Sequence, residues 1–222
     1  MNPALRASAA HVFVDSLASS SLSTDDQHHL FRVLRLRDGE SVTISDGDGS
    51  WRACVVAAGT LEFAGDAVVE KADIPLTVAA AIPKGDRAEW MVQKLTELGV
   101  SEIVFLHCER SVVRWKGDRA AQQLARMARV AREAAMQSRR VWLPALRGPV
   151  DFAQAAALAG ATVADPDGDM ASDCAVVLIG PEGGLSAAER GLCAATVNLG
   201  QHVLRVETAA VAAAAIFGRS HR

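Results

Sequence analysis

Residues 176–189 combine an apolar run, a glycine-rich stretch and a carboxylate, a combination that suits ligand binding. The apolar run predicts a strand that leads directly into Gly180-Pro181-Glu182-Gly183-Gly184. Glycine lets a backbone approach a ligand closely and adopt positive φ. Ser186 and Glu189 have the spacing of a capping box, which predicts that a helix follows. Because the stretch matches neither G-x-G-x-x-G nor a phosphate loop, a ligand loop and a structural turn both stay open.

A second apolar run, residues 199–209, carries two charges just before an alanine-rich stretch. Arg205 and Glu207 interrupt the run, and burying an unpaired charge costs several kcal/mol. We therefore predict that both residues lie at the end of a strand, 203–206, with charged partners or beside a pocket. The alternative is a structural ion pair between Arg205 and an acid such as Glu182 or Glu207.

A third stretch is strongly basic in a chain whose net charge is only −3. Residues 110–147 hold ten lysines and arginines, nine of them arginine, against Asp118 and Glu133, which leaves a net charge of +8. A basic segment in a near-neutral protein focuses a positive field on an anionic partner, and the planar guanidinium suits phosphate. A solvated helix face is the simpler alternative, but the excess of arginine favours nucleic acid.

The elements that must position these motifs divide near residues 71–75, the predicted linker. Before the linker, alternating segments predict strands over 41–45, 51–55, 61–63 and 67–70. Asp46-Gly47-Asp48-Gly49 joins the first two strands as a hairpin. Several short strands with little helix predict a small β-barrel domain over residues 1–72.

From residue 76 to 222 strands alternate with helices, which predicts a second domain built on a mostly parallel α/β sheet. The predicted strands are 76–82, 103–107, 162–164, 175–179 and 203–206. The predicted helices are 87–98, 119–139, 152–158, 187–195 and 209–217. Such sheets bind ligands beyond the carboxyl ends of their strands.

Composition excludes several classes of protein. With 222 residues, 50% hydrophobic and 22% charged, the chain has enough apolar surface for a core. No apolar run approaches the roughly 20 residues of a membrane-spanning helix, and residues 1–10 lack the pattern of a secretion signal. The four cysteines are far apart and form no C-x-x-C pair, so we expect a cytoplasmic protein without a metal site, a disulfide framework or a membrane partner.

Six motifs in order along nearly the whole chain resemble the ribosomal RNA small subunit methyltransferase E family, one of the knotted SPOUT methyltransferases. The motifs are His28-His29-Leu30 with Val33-Leu34-Arg35-Leu36-Arg37, Lys84-Gly85-Asp86 with Gln93-Lys94-Leu95-Thr96-Glu97-Leu98-Gly99, Glu109-Arg110-Ser111-Val112-Val113, the arginine helix ending Glu133-Ala134-Ala135, the loop 179–184, and Leu204-Arg205-Val206-Glu207-Thr208-Ala209. Any one of these motifs alone would be weak, whereas six in the right order are specific.

This resemblance implies an N-terminal PUA-like β-barrel and a C-terminal α/β domain with a deep trefoil knot. It also implies a homodimer that uses S-adenosylmethionine to methylate N3 of the 16S rRNA uridine conventionally numbered 1498, during maturation of the 30S ribosomal subunit. The cofactor-binding residues it implies are Ile179, Gly180, Pro181, Glu182, Gly183, Leu199, Gly200, Val203, Leu204, Glu207, Thr208 and Ala209. The family usually has arginine where this chain has His202, so a phosphate contact from that position is not carried over.

The predicted RNA-binding residues come from two basic clusters. His28 and His29 lie beside Arg32 and Arg35 in an otherwise acidic domain, and no third metal ligand is near them in sequence. RNA contact is therefore the better interpretation for that cluster. The second cluster is the arginine stretch, and its predicted RNA-binding members are Arg114, Arg126, Arg129, Arg132, Arg139 and Arg140.

The chemistry of methylating uracil N3 indicates candidate catalytic residues. The base must be unstacked and must lose its N3 proton before attack on the methyl group. A nearby cation stabilises the anionic ring, and Arg110 and Arg205 are the candidates for this role. Glu182 is a candidate proton acceptor, as is Glu207, although either carboxylate could instead position a helix or balance an arginine.

Two other classes of protein stay open. In a non-catalytic RNA-binding ribosome assembly factor, the glycine loop would be structural and the protein would have no affinity for S-adenosylmethionine. In a small-molecule α/β enzyme, the arginines would be solvated and ligand binding would respond only weakly to salt.

Overall fold

The structure is a computed structural model that describes residues 1–72, 74–170 and 173–218. Asp73 of the predicted linker and residues 219–222 at the end of the predicted second domain lie outside the described residues. The chain forms two compact units. The first unit comprises Met1–Ala72 and Arg132–Leu143, and the second comprises Asp73–Ala131 and Pro144–Arg222. The first unit therefore takes a segment from the middle of the chain.

The first unit contains a four-stranded sheet with the strand order β1-β2-β3-β4. Its strands are β1 (Ala10–Phe13), β2 (Ser41–Ser45), β3 (Ser50–Ala57) and β4 (Thr60–Val69). Its short helices are α1 (Pro3–Ala7) and α2 (Thr24–His28), and a π-helical turn follows at His29–Val33. Strands β1 and β2 are parallel, whereas the other pairs are antiparallel. Buried aliphatic side chains, including Val12, Leu30 and Ile44, form its core.

The predicted hairpin is confirmed, because Asp46 Oδ1 accepts hydrogen bonds from the N–H groups of Asp48 and Ser50 and closes the turn. The two strands predicted over 61–63 and 67–70 are one strand, β4, whose register against β3 shifts between Arg52 and Cys54. A closed barrel would pair β4 with β1. The strand pairings described within residues 1–72 include no such pair, so the barrel stays a prediction.

The second unit is an α/β domain around a six-stranded parallel sheet with the order β10-β8-β9-β5-β6-β7. The strands are β5 (Thr77–Ala81), β6 (Glu102–His107), β7 (Ala145–Asp151), β8 (Ala161–Asp169), β9 (Val176–Ile179) and β10 (Ala195–Val197). Four of the five predicted strands are confirmed. Strands β7 and β10 were not predicted, because β7 is an edge strand with no fully buried residue and contains Gly148-Pro149, and β10 has only three residues.

The fifth predicted strand, 203–206, is wrong. Arg205 is the extended N-cap of a helix, and its carbonyl accepts a hydrogen bond from the Ala209 N–H, 2.8 Å away. The helix therefore begins at Val206, ahead of its predicted start. The alanine-rich sequence that follows has a high helix propensity, which favours this outcome over a strand.

The helices of the second unit are α3 (Arg87–Glu97), α4 (Asp118–Ser138), α5 (Phe152–Ala156), α6 (Ala187–Arg190) and α7 (Val206–Phe217). The last turns of α4, from Arg132, belong to the first unit. In α3 the buried residues Ala88, Met91, Val92 and Leu95 recur at helical spacing and form its core-facing stripe. Helix α6 is shorter than predicted, since Gly191 is its C-cap.

The sheet brings the important loops to one edge. Strands β5, β6 and β9 are parallel neighbours, so the segments that follow them leave from the same edge of the sheet. These segments carry Lys84, the turn with Arg110, and the glycine-rich stretch after Ile179, respectively. In open parallel sheets, this carboxyl edge is where ligands bind.

Candidate functional site

A cavity of about 360 Å³ lies within the second unit and is lined mainly by two chain segments. We call residues 179–186 the glycine wall and residues 199–205 the second wall. The lining residues of the glycine wall are Ile179, Gly180, Pro181, Glu182, Gly184 and Leu185, and those of the second wall are Leu199, Gly200, His202, Val203, Leu204 and Arg205. Ala164, Asp165, Pro166, Arg190, Val206 and Ala209 complete the lining.

Nine of the twelve predicted cofactor-binding residues line this single cavity. The other three, Gly183, Glu207 and Thr208, lie beside it in sequence but are not part of its lining. Gly183 packs against Arg110, Glu207 is buried in the first turn of α7, and Thr208 is exposed. Folding thus brings together two motifs that are about twenty residues apart in the chain.

The glycine wall is held by its own hydrogen bonds. The Gly184 N–H donates to the Pro181 carbonyl at 2.8 Å. The predicted capping box is present, with the Glu189 N–H donating to Ser186 Oγ and the Ser186 N–H donating to Glu189 Oε2. A Cβ at Gly180 would lie 2.9 Å from the Leu185 side chain, so a larger residue would have to displace Leu185. The wall is therefore preformed.

Arg110, a predicted catalytic residue, contacts the glycine wall directly. It lies on the turn after β6, and its Nη1 donates to the Gly183 carbonyl at 3.2 Å. A Cβ at Gly183 would lie 3.3 Å from Arg110 Cβ, so these two segments are closely packed. The guanidinium is exposed, which leaves its remaining N–H groups available to an anion.

The predicted position of Arg205 beside a pocket is confirmed, whereas the alternative, an ion pair of Arg205 with Glu182 or Glu207, is wrong. Arg205 is exposed at the start of α7, and among the described residues it forms no ion pair. Arg87, at the start of α3, takes that role, with Nη1 lying 3.4 Å from Glu207 Oε1 and 3.9 Å from Glu182 Oε1. Arg87 was not among the predicted site residues, although it directly follows the Lys84-Gly85-Asp86 motif.

The two carboxylates differ in exposure. The Glu182 side chain is 37% exposed and lines the cavity, whereas the Glu207 side chain is only 7% exposed. Glu207 Oε2 is buried and has no hydrogen-bond partner among the described residues. Since a buried carboxylate oxygen without a partner is costly, this atom is a candidate acceptor for a ligand.

A second ion pair at the cavity was also missed from the sequence. Asp165 at β8 is buried, and its Oδ2 lies 2.6 Å from Arg190 Nη1 at the end of α6. Both residues line the cavity. The two residues belong to a strand and to a distant helix, so the residue pattern within either element alone does not indicate that they pair.

Cys108, the first residue of the turn that carries Arg110, is buried, which disfavours a nucleophilic role. Burial raises the pKa of the Cys108 thiol to about 12, and the negative charge of Glu189 contributes. Burial also raises the pKa of Cys193. Thiols whose pKa is raised stay protonated near neutral pH, which makes covalent catalysis by these cysteines unfavourable.

Four of the predicted RNA-binding arginines already have partners within their own unit. Arg126 Nη2 lies 2.6 Å from Glu89 Oε1, and Arg114 Nη2 donates to the Cys108 carbonyl. In the first unit, Arg132 pairs with Asp26 and donates to the Phe13 carbonyl. Arg139 donates to the carbonyls of Ser8 and Ala9, and burial lowers its pKa. These contacts stabilise the fold, so less of each guanidinium is available to RNA.

The other predicted RNA-binding residues differ in exposure. His28, His29, Arg32, Arg35 and Arg129 are exposed, whereas Arg140 is partly buried. The first four lie on or next to the π-helical turn, so the basic residues of this cluster are close together in the chain. Within the described residues, no group of three or more His, Cys, Asp or Glu side chains could hold a metal ion. No helix in that part of the chain is long and apolar enough to cross a membrane.

Comparison with known families identifies both parts of the chain. The family model described as RNA methyltransferase domain matches residues 70–218, and that described as RNA methyltransferase PUA domain matches residues 22–63. An α/β domain built on a parallel sheet, matched by an RNA methyltransferase domain, together with an N-terminal PUA domain, defines the chain as an RNA methyltransferase.

The ribosomal RNA small subunit methyltransferase E of Synechocystis sp. is 33% identical over 89% of this chain and 72% of its own length. The Mycobacterium tuberculosis protein of the same name is 31% identical over 93% of this chain and 90% of its own. The Neisseria gonorrhoeae protein of that name, solved bound to S-adenosylmethionine, is 26% identical with a TM-score of 0.78, covering 93% of this chain and 95% of that one. The chain belongs to the ribosomal RNA small subunit methyltransferase E family.

Proposed function

We propose that this protein uses S-adenosylmethionine to methylate N3 of a uridine in 16S rRNA, the one conventionally numbered 1498, during maturation of the 30S subunit. One observation carries the proposal: the two segments predicted to bind the cofactor, far apart in sequence, form the walls of one cavity. Family membership supports the reaction class, and a relative was solved with this cofactor bound.

The cavity has properties that suit this cofactor. Its volume of about 360 Å³ is within the range of small-molecule sites, and its walls combine apolar side chains with exposed backbone around glycines. S-adenosylmethionine carries positive charge on its sulfonium and ammonium groups. The cavity lining carries charges of both signs, Asp165 and Glu182 against Arg190 and Arg205, which suits a ligand that has both an ammonium and a carboxylate group. The residues present therefore fit the group.

In this proposal the predicted cofactor-binding residues contact the cofactor from the two walls and from the start of α7. Ile179, Gly180, Pro181, Glu182 and Gly183 hold the cofactor from the glycine wall. Leu199, Gly200, Val203 and Leu204 hold it from the second wall, and Glu207, Thr208 and Ala209 do so from the start of α7. When bound, S-adenosylmethionine supplies an electrophilic methyl group to the target nitrogen.

The protein's own residues then prepare the uracil. Arg110 and Arg205 are both exposed, so each can approach the carbonyl oxygens of a splayed base and lower the free energy of its N3-deprotonated form. Glu182 is the proposed proton acceptor, since it lines the cavity and its side chain is partly exposed. Close alignment of the base with the methyl donor supplies the remaining acceleration.

We propose that the RNA is held chiefly by the exposed basic side chains His28, His29, Arg32, Arg35 and Arg129. Arg114, Arg126, Arg132, Arg139 and Arg140 contribute more weakly, because protein groups already occupy donors on most of them. Each phosphate contact should add to the salt dependence of RNA affinity.

The proposal also includes the trefoil knot, a homodimer and a cytoplasmic location. Trp90, Leu98 and Ile216, on or next to helices α3 and α7, keep exposed apolar side chains that a second copy would cover. Sedimentation equilibrium tests the dimer directly. A monomer at micromolar concentration would overturn that part of the proposal without affecting the reaction.

The reaction is tested with 16S rRNA transcribed in vitro, which carries no modification, and with 30S particles assembled from it. The purified protein and labelled S-adenosylmethionine should transfer one methyl group per rRNA, and mass spectrometry of ribonuclease fragments should find 3-methyluridine at position 1498. Transfer to another nucleotide would overturn the site assignment. RNA binding without cofactor affinity would overturn the enzyme and favour the assembly factor.

A further inference from the structure

Glu189 is a buried carboxylate that joins two loops of the candidate site. It is only 6% exposed, although glutamate is rarely buried without partners. Its Oε1 accepts a hydrogen bond from the Glu109 N–H at 2.8 Å, and its Oε2 accepts one from the Ser186 N–H at 3.0 Å. The capping box accounts for the contact with Ser186. The contact with Glu109, eighty residues earlier in the chain, has no role in capping.

The Glu109 N–H belongs to a turn that is braced internally. The Ser111 N–H donates to the Cys108 carbonyl at 3.1 Å, so residues 108–111 form a β-turn in which Glu109 and Arg110 are the central pair. The Cys108 N–H donates to Ser111 Oγ, and Arg114 Nη2 donates to the Cys108 carbonyl. These bonds make the turn a unit whose position determines where Arg110 lies.

Two bonds dock this turn against the other loop. One is the Glu109 N–H to Glu189 bond, and the other is Arg110 Nη1 to the Gly183 carbonyl. The bond to Gly183 is made by the exposed Arg110 side chain, so water and RNA can compete for the guanidinium. The first is made to a buried charge, and such charge-assisted bonds are shorter and stronger than neutral ones. Glu189 is thus the firmer attachment.

We infer that Glu189 is a positioning residue for methyl transfer, clamping the turn that carries Arg110 onto the glycine wall. This inference rests on the proposed function, in which Arg110 stabilises the anionic uracil. Glu189 does not line the cavity, so it acts on the base through Arg110 and not by contact. Its loss should therefore slow transfer while cofactor affinity stays nearly the same.

A matched pair of substitutions at Glu109 removes the bond without altering Glu189. Proline is favoured at the first central position of such turns, so Glu109→Pro keeps the turn and removes its N–H. Glu109→Ala removes the same exposed side chain and keeps the N–H. We expect Glu109→Pro to slow single-turnover methyl transfer about 10- to 100-fold, with cofactor Kd changed less than about threefold, and Glu109→Ala to change neither by more than about threefold.

A double-mutant cycle tests whether Glu189 acts through Arg110. In Glu189→Gln the amide has one acceptor oxygen for two N–H groups, so one of the two bonds is lost. We expect a similar loss of rate in the wild-type background and less than about a twofold further loss in an Arg110→Ala background. Effects that simply multiply would show that Glu189 acts independently of Arg110 and would overturn the inference. Melting temperatures identify any variant that fails to fold, and Glu109→Pro then carries the test.

Amide hydrogen exchange provides a readout that needs no substrate. The Glu109 amide should exchange at least about tenfold faster in Glu189→Gln than in the wild type, because its buried acceptor is weakened. If methyl transfer occurs but neither exchange nor rate responds, the clamp is overturned and the proposed function stands. If the wild type transfers no methyl group, the proposed function is wrong, and so is the catalytic role of Glu189. The exchange result would still show whether Glu189 clamps the two loops together.

Discussion

The two walls of the cavity are built differently. The glycine wall runs directly from a buried strand, and within it Pro181, Leu185 and Ser186 are all buried. Internal hydrogen bonds close its turn and start the next helix. The second wall is largely exposed: His202 is exposed, and Val203 is 89% exposed, although both line the cavity. Its described support includes the bond from the Gly200 N–H to Asn198 Oδ1 at 2.7 Å.

This difference indicates how the cavity would take a ligand. The glycine wall needs no further ordering, so a ligand binds it without a large entropic cost. The apolar side chains of the second wall are left in water until something covers them. We therefore expect the glycine wall to set whether a ligand binds and the second wall to adjust how tightly it is held.

The largest effect on cofactor affinity should follow from adding a side chain to the glycine wall at Gly183. In Gly183→Val, the new Cβ would lie 3.3 Å from Arg110 Cβ, and the branched γ-carbons would force the two segments apart. We expect S-adenosylmethionine affinity, measured by calorimetry, to fall by about 100-fold or more, in line with the loss of a preformed contact surface. Gly65→Val is the matched control, because a Cβ there meets nothing within 4 Å. Unchanged affinity in Gly183→Val would remove this wall from the binding site.

An intermediate effect is expected at Arg87, which pairs with a carboxylate of the glycine wall and with Glu207 just after the second wall. Arg87→Met leaves Glu207 buried without its cation. Because Arg87 is 36% exposed and partly screened, we expect the free energy of unfolding to fall by only about 1–2 kcal/mol. Urea denaturation measures this change.

The control for Arg87 is the double variant Arg87→Met with Glu207→Gln, which removes the buried charge as well. It should regain most of the lost stability, since the penalty comes from an uncompensated carboxylate. If the double variant is less stable than Arg87→Met alone, Glu207 is stabilised by something other than Arg87. The connection between the two walls would then have to be found elsewhere.

A smaller effect is expected on the second wall at Val203. Covering its exposed side chain with a ligand should contribute through apolar burial, so Val203→Ser should weaken S-adenosylmethionine binding by about 3- to 10-fold. The melting temperature without ligand should not change, because the side chain is solvated there. Val69→Ser, at another exposed valine, should leave both quantities unaltered. A cofactor affinity insensitive to Val203 would mean that the second wall does not close over the ligand.

The smallest effect concerns His202, an exposed residue of the second wall. His202→Arg adds a permanent cation to an exposed position, so RNA affinity should rise about 2- to 5-fold at low salt and its dependence on log salt should steepen by about one. Because His202 also lines the cavity, the added cation should weaken cofactor binding, but only by about 2- to 3-fold, since the side chain is exposed and its charge is screened. Gln201→Arg places the same charge one residue earlier, and an equal gain there would show a nonspecific effect of charge.

Much of the fold was predictable because its signals are local. Residues 176–179 are all buried and apolar, and Ser186 with Glu189 forms a cap through neighbours in the chain. The failures were also local in origin. The segment 203–206 has the composition of a strand, but the alanines after it extend the helix back to Val206. The edge strand β7 was not predicted because none of its residues is fully buried and Gly148-Pro149 interrupts the apolar alternation typical of a strand.

The features of the candidate site also divide into those that local sequence predicts and those that only folding decides. Residue types and spacing were enough to single out the glycine-rich stretch, the charged run 199–209 and the basic segments, because backbone freedom, charge and capping are properties of short stretches, whereas the cofactor-binding roles and Arg110 followed from the family resemblance. Which groups meet was decided by folding: Arg87 and not Arg205 holds the carboxylates, Asp165 pairs with Arg190, and Glu189 reaches the Arg110 turn. The physical reason is that ion pairs and buried hydrogen bonds act over only a few ångströms, so the parallel sheet must first bring distant loops to one edge.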